Sequence, residues 1–335
     1  MSDRIRWGVL GAAKIATRKV IPSMQLASAC DMTAIASRSL AKAKEAATLL
    51  GIPKAYGSYE ELIADPGIDA IYNPLPNHLH VPWTIRAAEA GKHVLCEKPI
   101  ALNAAEAEQL LAVRDRTGVR IQEAFMVRTH PQWLAAQAMI RDGRLGEVRA
   151  IIGFFSYFNT DPANIRHVPE WGGGGLMDIG CYLVNTSRML LAREPHRVAA
   201  VCERNPHTRV DRLTSMILDF GDAHAIGTCS TQVVPYQRVQ ILGTAGRLEV
   251  QIPFNPPPDE GCRLLLDDGS DLRDGGSVRI DIAPSNQFTI QGELFSRAIL
   301  EGKPAPYPLE DSIANMRVID ALFASSQAGS FVTIR

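Results

Sequence analysis

Apolar and polar positions follow two rhythms in the first third of the chain. Short, nearly unbroken apolar runs at 5–10, 32–37, 69–73, 93–96 and 119–124 have the length and texture of strands buried on both faces. Between them lie stretches with helical spacing, at 14–27, 40–50, 58–64, 84–90 and 103–116. Pro22 interrupts the first of these. Gly51 and Gly91 follow the second and fourth, where a helix stop favours glycine. Ser58, with Glu61 three residues on, opens the third as a capping pair. Strand and helix in regular alternation imply right-handed crossovers and a parallel sheet.

The rhythm changes after Phe125. A helix is expected over 132–141, closed by Gly143, and a long β-rich run over 148–158. A glycine turn at 172–175 leads into helical spacing over 176–191. Strand patterns then succeed one another without helices, at 198–202, 213–220, 223–233 and 238–242. Such a run implies a large, mostly antiparallel sheet. Pro-, Gly- and Asp-rich stretches at 255–261 and 267–276 read as loops or hairpin turns. A last helix is expected over 309–328. The pattern predicts an α/β protein of two domains, with 1–124 built around a parallel sheet and 125–335 around the second sheet.

Composition narrows the function classes. The chain has 335 residues with 46% hydrophobic and 21% charged positions, which suits a globular protein with room for two cores. Formal net charge is −1 and no basic stripe stands out, so nucleic acid is not an expected partner. No apolar run is long enough to span a bilayer, and Met1-Ser2-Asp3-Arg4 leads into the first strand without a leader pattern, so no membrane association is expected. The six cysteines (Cys30, Cys96, Cys181, Cys202, Cys229 and Cys262) show no C-x-x-C pair. They read as reduced thiols of a cytoplasmic protein.

The first strand ends in Gly8-Val9-Leu10-Gly11-Ala12-Ala13-Lys14-Ile15-Ala16. A glycine turn running into a helix lets a pyrophosphate approach bare backbone and meet the helix N-terminus. Gly11, Ala13, Lys14 and Ile15 are therefore candidate cofactor contacts, although Ala13 and Ala16 replace the later glycines of G-x-G-x-x-G. After the second strand stands Ala36-Ser37-Arg38-Ser39, with no acid until Glu45. An acid there would take the ribose 2′-hydroxyl of NAD. Ser37 and Arg38 instead suit the 2′-phosphate of NADP, so NADP is the expected cofactor, with NAD as the second possibility. Asn73-Pro74-Leu75-Pro76-Asn77-His78-Leu79-His80 follows the next strand and is stiffened by two prolines. His78 and His80 lie two apart in a loop without a carboxylate beside them, so no metal is expected.

Two further segments carry candidate chemistry. In Gly91-Lys92-His93-Val94-Leu95-Cys96-Glu97-Lys98-Pro99, a lysine leaves the carboxyl end of an apolar strand, where open α/β sheets bind ligands. In Gly172-Gly173-Gly174-Gly175-Leu176-Met177-Asp178-Ile179-Gly180-Cys181-Tyr182-Leu183-Val184-Asn185, helical geometry puts Asp178, Tyr182 and Asn185 on one face.

The Glu97-Lys98-Pro99 tripeptide resembles the signature of the glucose–fructose oxidoreductase / inositol dehydrogenase (Gfo/Idh/MocA) family of nicotinamide-dependent dehydrogenases. Pro76, Asn77 and His80 match the family's Pro-Asn-x-x-His, with Leu75 where threonine is usual. Asp178 and Gly180 match its Asp-x-Gly-x-His-x-x-Asp, with Tyr182 and Asn185 at the last two positions. The tyrosine resembles the branch near xylose dehydrogenase and dimeric dihydrodiol dehydrogenase. Glu123-Ala124-Phe125-Met126, Arg128-Thr129-His130-Pro131 and Arg166 also match that branch.

The resemblance implies a Rossmann dinucleotide-binding domain and a substrate-binding and oligomerisation domain. Pro74, Leu75, Asn77, His80, Glu97 and Lys98 would border the nicotinamide side of the cofactor. Lys98, Tyr182 and Asp178 would be catalytic. Tyr182 would be the general base in oxidation, Lys98 its electrostatic partner and Asp178 the group that orients Lys98. A free phenol titrates near pH ~10, so this role requires the phenolate to be favoured by about 3–4 kcal/mol. The alternative is that Lys98 takes the proton and Tyr182 only binds sugar. Arg128, His130, Arg166, Trp171 and Asn185 are candidate substrate contacts, since arginine forks and indole faces suit sugar hydroxyls and ring C–H faces. The expected activity is hydride transfer between a pyranose, an aldose such as xylose or glucose, and the nicotinamide, by a homodimer or homotetramer. The rivals are a trans-dihydrodiol dehydrogenase, a sugar oxidoreductase that keeps its nucleotide bound, and a non-catalytic NADP-sensing regulator of the same fold.

Overall fold

The structure, a computed structural model, describes residues 3–334. Two compact units divide the chain. One contains residues up to Met126 together with Gln287–Ile313, and the other Val127–Asn286 with the chain from Ala314 onward.

In the first unit, β1 (Ile5–Leu10), β2 (Cys30–Ala36), β3 (Lys54–Tyr56), β4 (Ala70–Asn73), β5 (His93–Cys96) and β6 (Ile121–Glu123) form one parallel sheet. Their order is β3-β2-β1-β4-β5-β6. Three helices begin on side-chain caps: Ser39 accepts from the Lys42 N–H, Ser58 from Glu61 and Asn103 from Glu106. The helix after β1 winds as a π-turn over Ala16–Val20, where the Ile21 N–H reaches back to the Ala16 carbonyl. Pro22 then falls at the start of a fresh α-turn and owes no hydrogen bond there. That helix ends at Met24, short of the expected residue 27.

The return of Gln287–Ile313 to this unit corrects the expected division at 124/125. Its cause is the burial of Trp7, whose indole N–H donates to Ser296 Oγ at 3.0 Å and whose ring lies 5.8 Å from Phe295. Both partners sit on the helix Gln287–Leu300, which the periodicity reading passed over. Glu293 of the same helix accepts from the Ala29 N–H at 2.8 Å. Strand β1 thus completes its core with residues from the far end of the chain.

In the second unit, nine strands form a sheet ordered β14-β13-β12-β11-β7-β10-β9-β8-β15. They are β7 (Val148–Phe158), β8 (Arg197–Arg204), β9 (Asp211–Asp219), β10 (His224–Ser230), β11 (Gln232–Gly243), β12 (Arg247–Val250), β13 (Cys262–Asp267), β14 (Ser277–Ile282) and β15 (Val332–Thr333). Among the described residues of this sheet, only β7 and β10 pair in parallel. The expected strand 223–233 is two strands, parted at Thr231. The hairpin β13–β14 flanks the loop expected at 267–276, but its strands were missed despite alternation in Ser277–Ile282.

Gly153 and Gly227 pair across β7 and β10. A Cβ on Gly153 would come within 2.6 Å of Leu183 Cδ2, and one on Gly227 within 3.1 Å of Leu183 Cδ1. The paired glycines make a groove for Leu183, which seats the helix Cys181–Leu191 on this face of the sheet. Ile152, Ile226 and Ile217 align in register across β7, β10 and β9 and are exposed.

Candidate active site

The expected cofactor residues of the first unit gather at one edge of its sheet. Since all six strands are parallel, the exits of β1, β2, β4 and β5 lie at the same, carboxyl edge. Gly11 leaves β1 with φ +88°, in the region that favours glycine, and its N–H donates to the Ala36 carbonyl at the end of β2. A Cβ there would stand 3.1 Å from Leu75 Cδ2 and 3.5 Å from Tyr59 Oη. Ala13 and Ile15 are half-buried and Lys14 is exposed at the helix start. The first turn carries no acid, so nothing there opposes an anion at the helix N-terminus.

Ser37 is half-buried and Arg38 exposed at the exit of β2. The Ser37 hydroxyl accepts from the Ser39 N–H at 3.4 Å. Burial raises the Tyr59 hydroxyl above its usual range, opposed by the charge of Arg38 and its hydrogen bond. Neither Tyr59 nor its edge-on partner Trp83, at 4.9 Å, carried a sequence signal of a site.

Past β4, Asn73 is fully buried and organises the proline loop. Its amide donates to the His80 carbonyl and to Thr84 Oγ1, and its Oδ1 accepts from the Leu75 N–H. His80 departs from the expected role. It is 1% exposed, and its ring nitrogens face the Pro99 and Leu75 carbonyls at 2.7 Å each. Burial brings its imidazole down to about 4, so at neutral pH the ring is uncharged and donates to one of the two. His80 therefore braces the loop against the Lys98–Pro99 turn, which contains a cis peptide bond, and offers a nucleotide no ring atom. Pro74 and Leu75 are buried and Asn77 half-buried. Glu97 accepts from the Tyr72 hydroxyl at 2.6 Å, and Lys98 follows it, half-buried.

The second unit holds the other set. The turn before the 176–191 helix needs glycine for close approach: a Cβ on Gly173 would meet the Arg166 carbonyl at 2.5 Å, and one on Gly174 (φ +113°) would overlap the Asp211 carboxylate. Asp211, 1% exposed, accepts from the Leu176 N–H at 2.7 Å and from Thr214 Oγ1 at 2.8 Å. It satisfies a helix-start donor from a distant strand, which no local pattern announces.

Asp178 is 9% exposed, and its Oδ2 accepts from Arg166 Nε at 2.6 Å and from the Tyr157 hydroxyl at 2.5 Å. The Asp178 charge raises the Arg166 guanidinium above its ordinary range. Burial, then the same charge, raises the Tyr157 phenol, so Tyr157 stays protonated at neutral pH. Asp178 thus has two donors within its own unit beyond the lysine assigned to it from sequence.

Tyr182 is 5% exposed and packed among rings. Its centroid lies 5.9 Å from Phe155 and 5.4 Å from Phe254. Asn185, three residues on, is 1% exposed, and neither its amide oxygen nor its nitrogen has a partner among the described residues. The same holds for both ring nitrogens of buried His167, beside Arg166. His167 was missed because a lone histidine on a short turn has no pattern. Trp171 is 40% exposed on the turn Pro169–Trp171. Arg128 is half-buried on the turn Met126–Thr129. His130 is a correction: it is 1% exposed, and its Nδ1 accepts from the Gln132 N–H as the cap of the helix Pro131–Arg141. It is committed to that helix and not to substrate.

A glycine-turned parallel sheet edge that fits a dinucleotide in one unit, and a polar helix face in the other, suit an NAD(P)-dependent oxidoreductase, and the similarities to known proteins show that class. Residues 5–125 match the oxidoreductase family described as having an NAD-binding Rossmann fold, and 133–249 match the GFO/IDH/MocA C-terminal domain. An uncharacterized oxidoreductase of Rhizobium meliloti is 48% identical over 99% of this chain and 100% of its own. D-xylose 1-dehydrogenase (NADP(+)) 2 of Haloferax volcanii is 38% identical over 98% of this chain and 99% of its own. Among solved structures, a 3-ketoreductase from Actinomadura kijaniata in complex with NADP and TDP-benzene superposes with a TM-score of 0.90 at 29% identity, covering 96% of this chain and 98% of that one. The chain belongs to the Gfo/Idh/MocA family.

Proposed function

We propose that this protein is an NADP-preferring dehydrogenase that oxidises a CH–OH carbon of a pyranose, an aldose such as xylose or glucose. The observation that carries the substrate class is Asn185. A buried amide with neither atom paired costs about 1–3 kcal/mol, and a sugar hydroxyl, both donor and acceptor, relieves it. The pairing of Arg166 with Asp178 leaves this group of side chains without excess charge, which favours a neutral polyol over an acid. The similarity to a D-xylose dehydrogenase agrees with this reading.

The dinucleotide, when bound, supplies the hydride chemistry. Gly11, Ala13, Lys14 and Ile15 hold its pyrophosphate, Ser37 and Arg38 its 2′-phosphate, and Pro74, Leu75, Asn77, Glu97 and Lys98 border its nicotinamide half. Tyr182 takes the hydroxyl proton in oxidation, and Lys98 supplies the positive charge that favours the phenolate. Asp178 anchors Arg166 as a sugar contact, alongside Arg128, Trp171 and Asn185. The protein works in the cytoplasm, which suits its six free thiols, and as a homodimer or homotetramer through the exposed face of its nine-stranded sheet.

The test is a panel of aldoses, inositols and trans-dihydrodiols, each with NAD and NADP, read by the absorbance of reduced cofactor. The expected result is fastest turnover of an aldose with NADP. Preference for a dihydrodiol would replace the substrate, and silence across the panel would favour the sensor. Tyr182→Phe is expected to lower kcat by about 10²–10³-fold, and Lys98→Met to add little in that background. Near-normal turnover by Tyr182→Phe would move the proton to Lys98.

A further inference from the structure

The residues that hold Tyr182 in place come from an irregular segment that no motif marks. Ile252, Pro253, Phe254 and Asn255 follow β12 without joining any strand. A stretch rich in proline, at 253 and 256–258, lacks the N–H groups to pair as a ladder. Its backbone groups are taken by side chains instead. Gln132 Nε2 donates to the Ile252 and Pro253 carbonyls at 3.0 and 3.2 Å, and the Trp133 indole N–H donates to Pro253 at 2.8 Å. Gln237 Oε1 accepts from the Phe254 and Asn255 N–H groups at 2.9 and 3.1 Å. The clamp fixes Phe254, which is fully buried.

The Phe254 ring is the centre of an aromatic cluster. It stacks on Phe155 at 4.7 Å with an interplanar angle of 23°, lies over Trp133 at 6.3 Å and 25°, and abuts Tyr182 at 5.4 Å. Phe155 meets Tyr182 edge-on at 5.9 Å and 65°. Gln237 is also the ladder partner of Phe155 across β7 and β11, so one residue ties both rings that flank the tyrosine.

We propose that Phe254, clamped by Gln237, Gln132 and Trp133, is the positioning residue that fixes the Tyr182 ring for proton transfer and keeps water from its flank. A phenol walled by rings on two sides has few orientations, and proton transfer falls steeply when the acceptor is displaced. Nothing in this role requires Phe254 to touch substrate. The inference rests on the reading of Tyr182 as the proton acceptor.

Its test separates the two. In the full chain, the phenolate difference absorbance of Tyr182, isolated by subtracting the Tyr182→Phe variant, is followed against pH and needs no substrate. Phe254→Leu and Gln237→Ala are each expected to move that titration about 0.5–1 pH unit lower, since water beside the ring favours the phenolate. With D-xylose and NADP, Gln237→Ala is expected to lower kcat about tenfold with KM nearly unchanged, Gln237→Glu, which keeps the acceptor, to restore it, and neither to matter once Tyr182 is phenylalanine. Gln237→Ala frees Phe254 without removing any ring from the core, so it serves where Phe254→Leu fails to fold. An unmoved titration in folded Gln237→Ala overturns the brace. Normal turnover by Tyr182→Phe overturns instead the assignment of the proton to Tyr182, and with it the purpose of the brace.

Discussion

The proposed cofactor preference rests on Ser37 and Arg38, and the proposed proton transfer on Tyr182 and Lys98. Arg38 is exposed at the exit of β2, against the Tyr59 hydroxyl, with Ser37 beside it. Arg38→Ala is expected to raise the KM for NADP about tenfold while leaving that for NAD within twofold, because a charge-assisted contact to phosphate is worth about 1.5–3 kcal/mol. Equal loss with both nucleotides would show that Arg38 serves the adenine and not the 2′-phosphate. Much at this scale was legible: residue type and position relative to a strand end are local properties. His80 and His130 were not, because a histidine that braces a loop or caps a helix looks in sequence like one that binds a ligand. The hydrogen bonds each ring already makes tell them apart, and the tertiary fold decides those partners.

Elements are placed by close approaches. Asp211 cannot retreat from Gly174, since its Oδ2 already holds the Leu176 N–H and the Thr214 hydroxyl. Gly174→Ala, at φ +113° and against that carboxylate, is expected to cost about 2–4 kcal/mol in chemical denaturation. The glycine run was readable as a helix entrance, while the aspartate that caps it came from β9. Two histidines, His80 at the start of the helix His80–Glu89 and His93 on β5, are expected to make stability depend on pH. His80 and His93 are both brought down to about 4, chiefly by burial. The unfolded chain takes up these protons first as pH falls below about 6.5, so stability is complete above that value and is lost progressively toward pH 4. Asp65 and Asp69, lowered chiefly by hydrogen bonds from Lys54 and Arg6 respectively, lose their contribution only below the ordinary carboxylate range. The melting temperature is expected to fall between pH 6.5 and 4.5, with a shallower slope in His80→Gln. An unchanged slope would show that His80 charges without penalty.

For the whole molecule, the nine-stranded sheet leaves one face uncovered. Ile152, Ile226 and Ile217 form a cross-strand row, 43%, 48% and 39% exposed, with Val201 and Val234 exposed more fully. An apolar patch of this kind marks an interaction surface, and a second copy of the same sheet is its expected occupant. Ile226→Asp is expected to shift the mass measured by light scattering down to the monomer without loss of secondary structure. A monomeric parent protein would sink the reading.

The alternation of strands and helices in the first third, the glycine turn at Gly11 and the cap at Ser58 were determined by the sequence alone, and the proposed roles of Lys98, Asp178 and Tyr182 rest on motifs read there. Each depends on spacing within a turn or two, or on a motif a few residues long. The tertiary structure decided what depends on residues far apart in the chain: the return of Gln287–Ile313 to complete the core around Trp7, the donors that surround Asp178, and the rings that enclose Tyr182. Burial and close approach are properties of assembled surfaces, and no local period encodes which distant side chain will arrive there.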